Sequence, residues 1–180
     1  MLDGDTRREQ LVELLLKSGG PISGSELAGK FGVSRQVIVQ DIALLRAVNK
    51  NILSTNKGYI LYDPHAGDGK VKRTIAVRHS DEQMEEELYL IVDNGGRVLD
   101  VVVEHEIYGQ ITADLILKNR RDVDEFIGKM KRVKDLPLKI LTGGVHFHTV
   151  EADTQDILDH IEQKLRERGF RVDLDSKKED

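Results

Sequence analysis

The amino-acid sequence predicts an α+β protein built from two parts. In residues 1–62, three segments with helical spacing of apolar residues are followed by two short apolar runs around a turn signal. From residue 71 onwards, segments that alternate like strands are interleaved with helical ones. The stretch DPHAGDGK at residues 63–70 separates the two patterns, and its proline, two glycines and two aspartates, without an apolar pattern, are typical of a linker or long turn.

Composition and length narrow the class of protein. The 180 residues suffice for one domain or two small ones, since a domain usually has about 100–150 residues. Cysteine is absent, so disulfides are excluded and any metal must be bound by histidine and carboxylate side chains. No apolar run approaches the roughly 18–20 residues that span a membrane, and the start MLDGDTRREQ does not resemble a signal peptide. We therefore expect a cytoplasmic protein with no membrane partner.

The net charge of −5 is unevenly distributed along the chain. Residues 1–62 hold 8 Lys and Arg against 6 Asp and Glu, whereas residues 63–180 hold 19 against 26. A mildly basic first part in an acidic protein is compatible with DNA binding by that part alone. Chance variation in surface charge explains the same numbers equally well.

The first part predicts three helices and a hairpin. Thr6 and Glu9 have the spacing of a capping box at the start of the first helix, which SGGP ends. Ser23 or Ser25 caps a short second helix, which ends at Gly32. A third helix follows Ser34, and its expected buried positions are Val37, Ile38, Ile42, Leu45 and Val48. The run NILSTNKGYILY then predicts a hairpin.

A short helix, a glycine turn, an amphipathic helix and a hairpin together predict a winged helix-turn-helix. The candidate DNA-binding residues are those that the buried face does not use, namely Ser34, Arg35, Gln36, Val39 and Gln40 on the third helix, with Lys57 and Tyr59 on the wing. Arginine pairs with guanine and glutamine with adenine in the major groove. The alternative is a three-helix packing domain whose polar face only meets water.

The second part, residues 71–175, predicts a β-α-β-β-α-β order with a further helix and strand. The strands are KVKRTIAVRH, RVLDVVVEH, GQITADLIL, KILTGGVHFHTVEA and FRVDL, and Ser80 or Asp81 and Asp153 are the expected caps of two of the helices. This order is typical of a ferredoxin-like split βαβ sheet with helices on one face. The last residues, 176–180, are all polar and form the expected tail.

Histidines in this second part suggest a metal site. His146 and His148 share one face of a strand, and His79 ends another strand that lies near it in a split βαβ sheet. A carboxylate from the following helix would complete the set, with Glu82, Glu85, Glu86 and Glu87 as the available acids. Three imidazoles and a carboxylate suit Zn²⁺, Ni²⁺, Fe²⁺ or Mn²⁺. Each histidine taken alone is better explained as a polar surface residue than as a ligand.

Signals for catalysis are weak in this sequence. No serine or cysteine stands in a nucleophile elbow, and no glycine-rich phosphate loop follows a strand. The paired glycines of DNGGRV and TGGVH lack the lysine of a P-loop. We therefore expect that the protein is not an enzyme.

Several motifs in order carry a family resemblance. The stretch PISGSELAGKFGVSRQVIVQDIALLR resembles the winged helix-turn-helix of biotin-repressor-like regulators. The stretches VRHSDEQMEEEL, VVVEHEIYGQI and GGVHFHTVEA resemble the 3H domain, which is named for its histidines. Over nearly the whole chain, the sequence is similar to the nicotinate-responsive transcriptional repressors that control NAD biosynthesis and niacin uptake in bacteria.

The resemblance implies a homodimer that binds double-stranded operator DNA and senses nicotinic acid as co-repressor. It also implies a divalent metal held by His79, Glu87, His146 and His148, and it selects Glu87 among the neighbouring acids. His105 belongs to the same pattern and, with Tyr108, is the candidate contact to the ligand. The rival interpretations are a metal-responsive regulator and a small metal-dependent enzyme with a DNA-binding domain.

Overall fold

The computed structural model describes residues 3–48, 51–62, 69–133 and 137–173, and it divides the chain into two compact units, Met1–Gly67 and Asp68–Asp180. Each unit has its own hydrophobic core. Most of the predicted linker at 63–70 and all of the predicted tail at 176–180 lie outside the described residues.

The first unit contains three helices and a two-stranded wing. Its elements are α1 (Gly4–Lys17), α2 (Gly24–Phe31), α3 (Arg35–Ala47), β1 (Ile52–Thr55) and β2 (Gly58–Leu61). Leu11, Leu27, Ile38 and Ile52, from all three helices and the wing, are fully buried in one core. The predicted winged helix-turn-helix is therefore confirmed.

The start of α1 differs from the prediction. Asp3 caps the helix, because its carboxylate accepts hydrogen bonds from the backbone N–H groups of Asp5 and Thr6, both at 3.0 Å. The Thr6 hydroxyl instead donates to Asp3 at 2.7 Å. The prediction that Thr6 caps this helix is wrong, since an aspartate three residues earlier offers the same kind of acceptor.

The turn between α2 and α3 follows the prediction closely. Ser23 caps α2 and Ser34 caps α3, each accepting a backbone N–H with its hydroxyl. Gly32 ends α2 in the left-handed region at φ 64°, which costs glycine little. Of the expected buried positions on α3, Val48 is 66% exposed and was wrongly assigned to the core.

A buried ion pair joins α1 to α3. The pattern of apolar residues in the sequence does not predict it. Asp41 is only 2% exposed, and its carboxylate lies 2.6 Å from Nε of Arg7 and 3.2 Å from a guanidinium nitrogen of Arg8. This ion pair holds α3 against α1, and the outer face of α3 is turned away from the core.

The second unit is a four-stranded antiparallel sheet with three helices. Its elements are β3 (Val71–Arg78), α4 (Met84–Asp93), β4 (Arg97–His105), β5 (Gly109–Leu117), α5 (Arg120–Val133), β6 (Val145–Ala152) and α6 (Gln155–Glu167). The strand order is β3-β6-β4-β5, so β6 lies between the two strands that α4 connects. This is the predicted split βαβ connection. Apolar residues from one face of the sheet and from all three helices form a single core.

Two helix caps in this unit were predicted wrongly. α4 begins at Met84 with Gln83 at its N-cap and without a side-chain cap, so neither Ser80 nor Asp81 caps it. α6 is capped by the hydroxyl of Thr154 rather than by Asp153. Both helices begin later than predicted, and aspartate and threonine at adjacent positions are nearly equivalent caps.

Two predicted strand segments also differ. Leu138–Thr142 forms a 3₁₀ turn that ends at Gly143 in the left-handed region, and β6 begins only at Val145. The stretch FRVDL forms a single bridge, Val77 with Arg171, rather than a strand in its described residues. Short apolar runs do not by themselves distinguish a strand from a compact turn.

We predict that Gly58→Ala destabilises the first unit by about 2–4 kcal/mol. Gly58 has φ 134°, and a Cβ there would lie 2.2 Å from the carbonyl oxygen of Ile22, on the segment to which the wing is bridged. Gly29→Ala is the matched control, because no atom lies within 4 Å of a Cβ there, and alanine inside a helix stabilises by about 0.5–1 kcal/mol. Urea unfolding followed by circular dichroism measures both. Equal stability of the Gly58 variant and the unchanged protein would contradict the close approach of wing and loop.

Candidate functional site

Four ionisable side chains converge between the sheet and α4. His79 follows β3, Glu87 lies on α4, and His146 and His148 lie on β6, whose register places them opposite Val77 and Ile75 of β3. Nε2 of His79 lies 3.2 Å from Nε2 of His146 and 3.4 Å from Oε2 of Glu87. Nε2 of His148 lies 3.5 Å from Oε1 of Glu87. The structure thus brings together all four predicted metal ligands.

Glu87 is the most constrained member of this cluster. It is 0% exposed, and neither carboxylate oxygen has a hydrogen-bond partner among the described residues. Its contacts with His79 and His148, at 3.4 and 3.5 Å, are longer than the roughly 2.7–2.9 Å of charge-assisted hydrogen bonds. A buried carboxylate without hydrogen bonds is strongly destabilising unless a cation is close. The geometry therefore fits a bound metal ion.

Backbone carbonyl oxygens orient all three imidazoles. Nδ1 of His79 lies 2.7 Å from the oxygen of Ser80, Nδ1 of His146 lies 3.0 Å from that of Gly144, and Nδ1 of His148 lies 2.7 Å from that of Asp100. Because a carbonyl oxygen only accepts, these contacts place a hydrogen on Nδ1, so that Nε2 carries a lone pair whenever the imidazole is neutral. Metal-binding histidines are held in this way. Two such lone pairs 3.2 Å apart, on His79 and His146, repel each other unless a cation lies near both.

Irregular backbone in β4 and just before β6 supplies two of these three carbonyl oxygens. The pairing of β4 with β6 shifts register between Val98 and Val102, and at this bulge Asp100 accepts from His148 through its carbonyl oxygen and from the Thr149 N–H through its carboxylate. Gly144, at φ 98°, leads into β6 and presents its oxygen to His146. Bulges near functional sites commonly redirect a side chain in this manner.

The charges in the cluster are strongly coupled. Burial alone would raise the pKa of Glu87, but the neighbouring charges of His148 and His79 outweigh it and hold that pKa well below its usual range. Burial, together with the charge of His148, lowers the pKa of His146 to about 4. Burial opposes the charged form of His148 as well, yet the carboxylate of Glu87 raises its pKa. The Glu87 carboxylate therefore stays ionised and is the group of the cluster that attracts positive charge.

A cavity of about 210 Å³ opens beside the histidines. Most of the lining is apolar and comes from α4, α5 and the sheet, and it includes Leu88, Val101, Leu115, Phe126 and Met130. The polar and ionisable lining residues are His79, His146, His148 and Lys139. At roughly 30 Å³ per water molecule, this volume holds about seven waters, which is the size range of a compound with one ring.

Lys139 is a functional candidate that sequence reasoning missed. It is 5% exposed, and its ammonium lies 2.9 Å from the carbonyl oxygen of His79 and 2.9 Å from a carboxylate oxygen of Asp81. The pattern KIL was interpreted as part of a strand, where a lysine would face solvent. Only the 3₁₀ turn carries this ammonium inwards, and no motif in the sequence marks it.

His105 and Tyr108 are placed away from this cavity. Their rings lie 4.9 Å apart at the turn between β4 and β5, and Nδ1 of His105 accepts from the backbone N–H groups of Ile107 and Tyr108. Tyr108 is 77% exposed, and neither residue lines the cavity. His105 is thus engaged with its own turn, and the structure does not bring the predicted ligand contacts to the histidine cluster.

The predicted DNA-binding residues of the first unit form a partly continuous surface. Arg35, Gln36, Val39 and Gln40 are exposed on one side of α3, and the Ser34 hydroxyl caps the helix at their edge. Arg35 and the ring of Tyr59 both lie within 3.4 Å of the position that a Cβ on Gly24 would take, so the wing and the start of α3 are adjacent. Tyr59 is half-buried against the core, however, and Lys57 is half-buried in the wing turn.

Comparison with known proteins assigns both units. An HTH domain matches residues 7–60 and a 3H domain matches residues 72–174. The chain is 44% identical over 172 residues to the transcription repressor NadR of Bacillus subtilis, over 95% of this chain and 96% of that one. It is 42% identical over 167 residues to the probable transcription repressor NiaR of Thermotoga maritima, over 93% and 94% of the two chains.

A helix-turn-helix domain followed by a 3H domain, with similarity to two named repressors over more than nine-tenths of the chain, defines a class of transcriptional regulator. The chain belongs to the 3H-domain family of transcription repressors. Both relatives are named as repressors rather than enzymes, which agrees with the prediction that this chain is not an enzyme. In the described part of the chain, no helix has the length and apolar character of a membrane span.

We predict that Glu87→Gln lowers the affinity for a divalent metal at least about tenfold, since even changes outside the ligand shell cost about 10–100-fold. Glutamine keeps the shape of the side chain but removes the negative charge that faces the three imidazoles. Metal titration, with metal content measured by mass spectrometry, tests this.

Glu86→Gln is the matched control, because that carboxylate is paired with Arg168 on the surface. Equal metal affinity of the two variants would show that Glu87 is not a ligand.

Proposed function

We propose that the protein is a homodimeric bacterial repressor that binds operator DNA through its helix-turn-helix and senses nicotinic acid as co-repressor in a metal-containing 3H domain. In this function it controls genes of NAD biosynthesis or niacin transport. The observation that carries the sensing part is the buried Glu87 carboxylate, which has no hydrogen-bond partner in the described part of the chain and faces three oriented imidazoles beside a cavity.

His79, Glu87, His146 and His148 would hold the metal. When bound, a divalent ion would supply positive charge at one wall of the cavity, where it attracts an anionic or lone-pair donor. Three imidazoles and one carboxylate without a thiolate suit nickel, zinc, iron or manganese.

The cavity supports a small aromatic acid as the effector. Its apolar lining suits a ring, and its volume suits a single-ring compound. The charged end of such a ligand would meet the histidine and Lys139 side of the cavity, where the Lys139 ammonium and a bound metal ion would supply positive charge. Nicotinic acid, a pyridine carboxylate, has both features.

The outer face of α3 supports operator reading. Arg35, Gln36 and Gln40 are exposed on a helix that the Asp41 ion pair fixes in place. In a dimer, two such helices would read half-sites separated by one turn of DNA, about 34 Å. For nicotinate to act as co-repressor, it must bind the DNA-competent arrangement of the dimer more tightly than other arrangements.

A metal-responsive regulator is the second candidate, because three of the four predicted ligands, His79, Glu87 and His146, already offer ligand atoms within 4.8 Å of one another, without any group contributed by an effector. The two functions differ in what changes operator affinity. A titration on operator DNA that crosses metal with nicotinate, nicotinamide and no ligand separates them. A metal effect without any pyridine favours the second function, and a nicotinate effect that requires the metal-loaded protein favours the first.

We predict that changing both His146 and His148 to alanine abolishes the effect of nicotinate on operator affinity. The reason is that the two side chains form one wall of the cavity as well as half of the metal site. Operator binding by fluorescence anisotropy, with and without nicotinate, measures the effect.

His160→Ala is the control for this pair, since His160 lies on α6 and contacts Asn94 rather than the cluster. An undiminished nicotinate effect in the double variant would contradict a role of the site in sensing.

We predict that Arg35→Ala weakens binding to the specific operator by about 1–3 kcal/mol and reduces the preference for it over random DNA. The guanidinium stands at the first turn of α3, beside the capping Ser34. Arg121→Ala, which removes an exposed arginine of the second unit, is the control. If the ratio of operator affinity to random-DNA affinity is unchanged, Arg35 does not read bases.

A further inference from the structure

We propose that Lys139 makes the cavity selective for a carboxylate, so that the protein distinguishes nicotinate from its uncharged amide. This inference deepens the proposed function and rests on it. It concerns a residue of the 3₁₀ turn rather than a member of the histidine and glutamate cluster.

The position of the ammonium supports this role. Lys139 lines the same cavity as His79, His146 and His148, and its side chain is 6% exposed. Two of its three N–H donors are directed at the carbonyl oxygen of His79 and at Asp81. The third faces Nδ1 of His79 at 3.2 Å, which already carries a hydrogen directed at Ser80 and cannot accept another. With the hydrogen of that Nδ1 directed at Ser80, one N–H donor of the buried ammonium is left without an acceptor among its neighbours in the described part of the chain, and we assign it to the ligand.

The carboxylate that already pairs with Lys139, that of Asp81, approaches from outside the cavity. Asp81 lines a neighbouring surface depression, and Met84, Met130 and Pro137 line both this depression and the cavity, so they form the partition between the two. The Asp81 side chain is 59% exposed, so water weakens its attraction for the ammonium. A carboxylate inside the cavity would be shielded from water and would interact more strongly with the same charge.

A purely structural role for Lys139 makes a different prediction. If the ammonium only ties the 3₁₀ turn to the end of β3, its removal lowers stability and affects all cavity ligands alike. If it selects a carboxylate, removal of the charge acts on nicotinate and spares nicotinamide, which has the same ring and nearly the same shape.

The experiment measures the affinities of nicotinate and nicotinamide by calorimetry in the metal-loaded protein and in Lys139→Met. We expect the change to weaken nicotinate at least about tenfold, which corresponds to the loss of one hydrogen bond to a charged group, and to change nicotinamide binding little. Lys131→Met is the control, because Lys131 lines only the outer depression. Metal content is measured in each variant to show that the metal site is intact.

Asp81→Asn is a second variant with the opposite expectation. It removes the protein's own carboxylate from Lys139, so the preference for nicotinate over nicotinamide should rise. Since Asp81 is largely exposed, this variant decides the question even where Lys139→Met does not fold.

The outcomes separate the two proposals. If nicotinate binds the unchanged protein and Lys139→Met keeps the same preference, the role of Lys139 is wrong while the proposed function stands. If Asp81→Asn leaves the preference unchanged or lowers it, the role of Lys139 is also wrong. If nicotinate does not bind the unchanged metal-loaded protein, the proposed function itself fails.

Discussion

The second unit depends on the burial of one carboxylate. Glu87 is enclosed between α4 and the sheet without a hydrogen bond among the described residues, and such a group is tolerated only beside positive charge. The bulge at Asp100 and the glycine turn before β6 supply the carbonyl oxygens that orient His148 and His146 towards it. Irregular features of the sheet thus have one common explanation.

Much of the architecture could be predicted, because helices, strands and turns follow from the spacing of apolar residues and from turn residues that are close together in the sequence. The helix-turn-helix, the wing and the split βαβ order follow from such patterns. The adjacency of β3 and β6, the first and last strands of the sheet in sequence, brings His79 near His146 and His148. The choice of Glu87 among its neighbouring acids came from family resemblance, because spacing alone leaves several carboxylates on the same turn. Its burial between α4 and the sheet explains that choice physically.

The features that escaped prediction depend on contacts between distant segments. Asp41 on α3 is buried only because Arg7 and Arg8 of α1 reach it, and nothing in the local pattern of α3 shows this. Lys139 is buried because a 3₁₀ turn replaces the expected start of a strand. The caps at Asp3 and Thr154 were missed for a simpler reason, since neighbouring polar residues are nearly equivalent acceptors. Charged residues that are buried by tertiary pairing leave little trace in a single sequence.

The insertion of β6 between β3 and β4 has a consequence for synthesis of the protein on the ribosome. β3, α4, β4 and β5 emerge first, but β3 and β4 are not paired with each other in the sheet, and the strand that joins them is the last of the four. His79 and Glu87 are therefore translated some sixty residues before the two histidines that complete their cluster. A nascent chain therefore holds only half of the cluster, and the buried carboxylate meets all three imidazoles only when the whole sheet has closed.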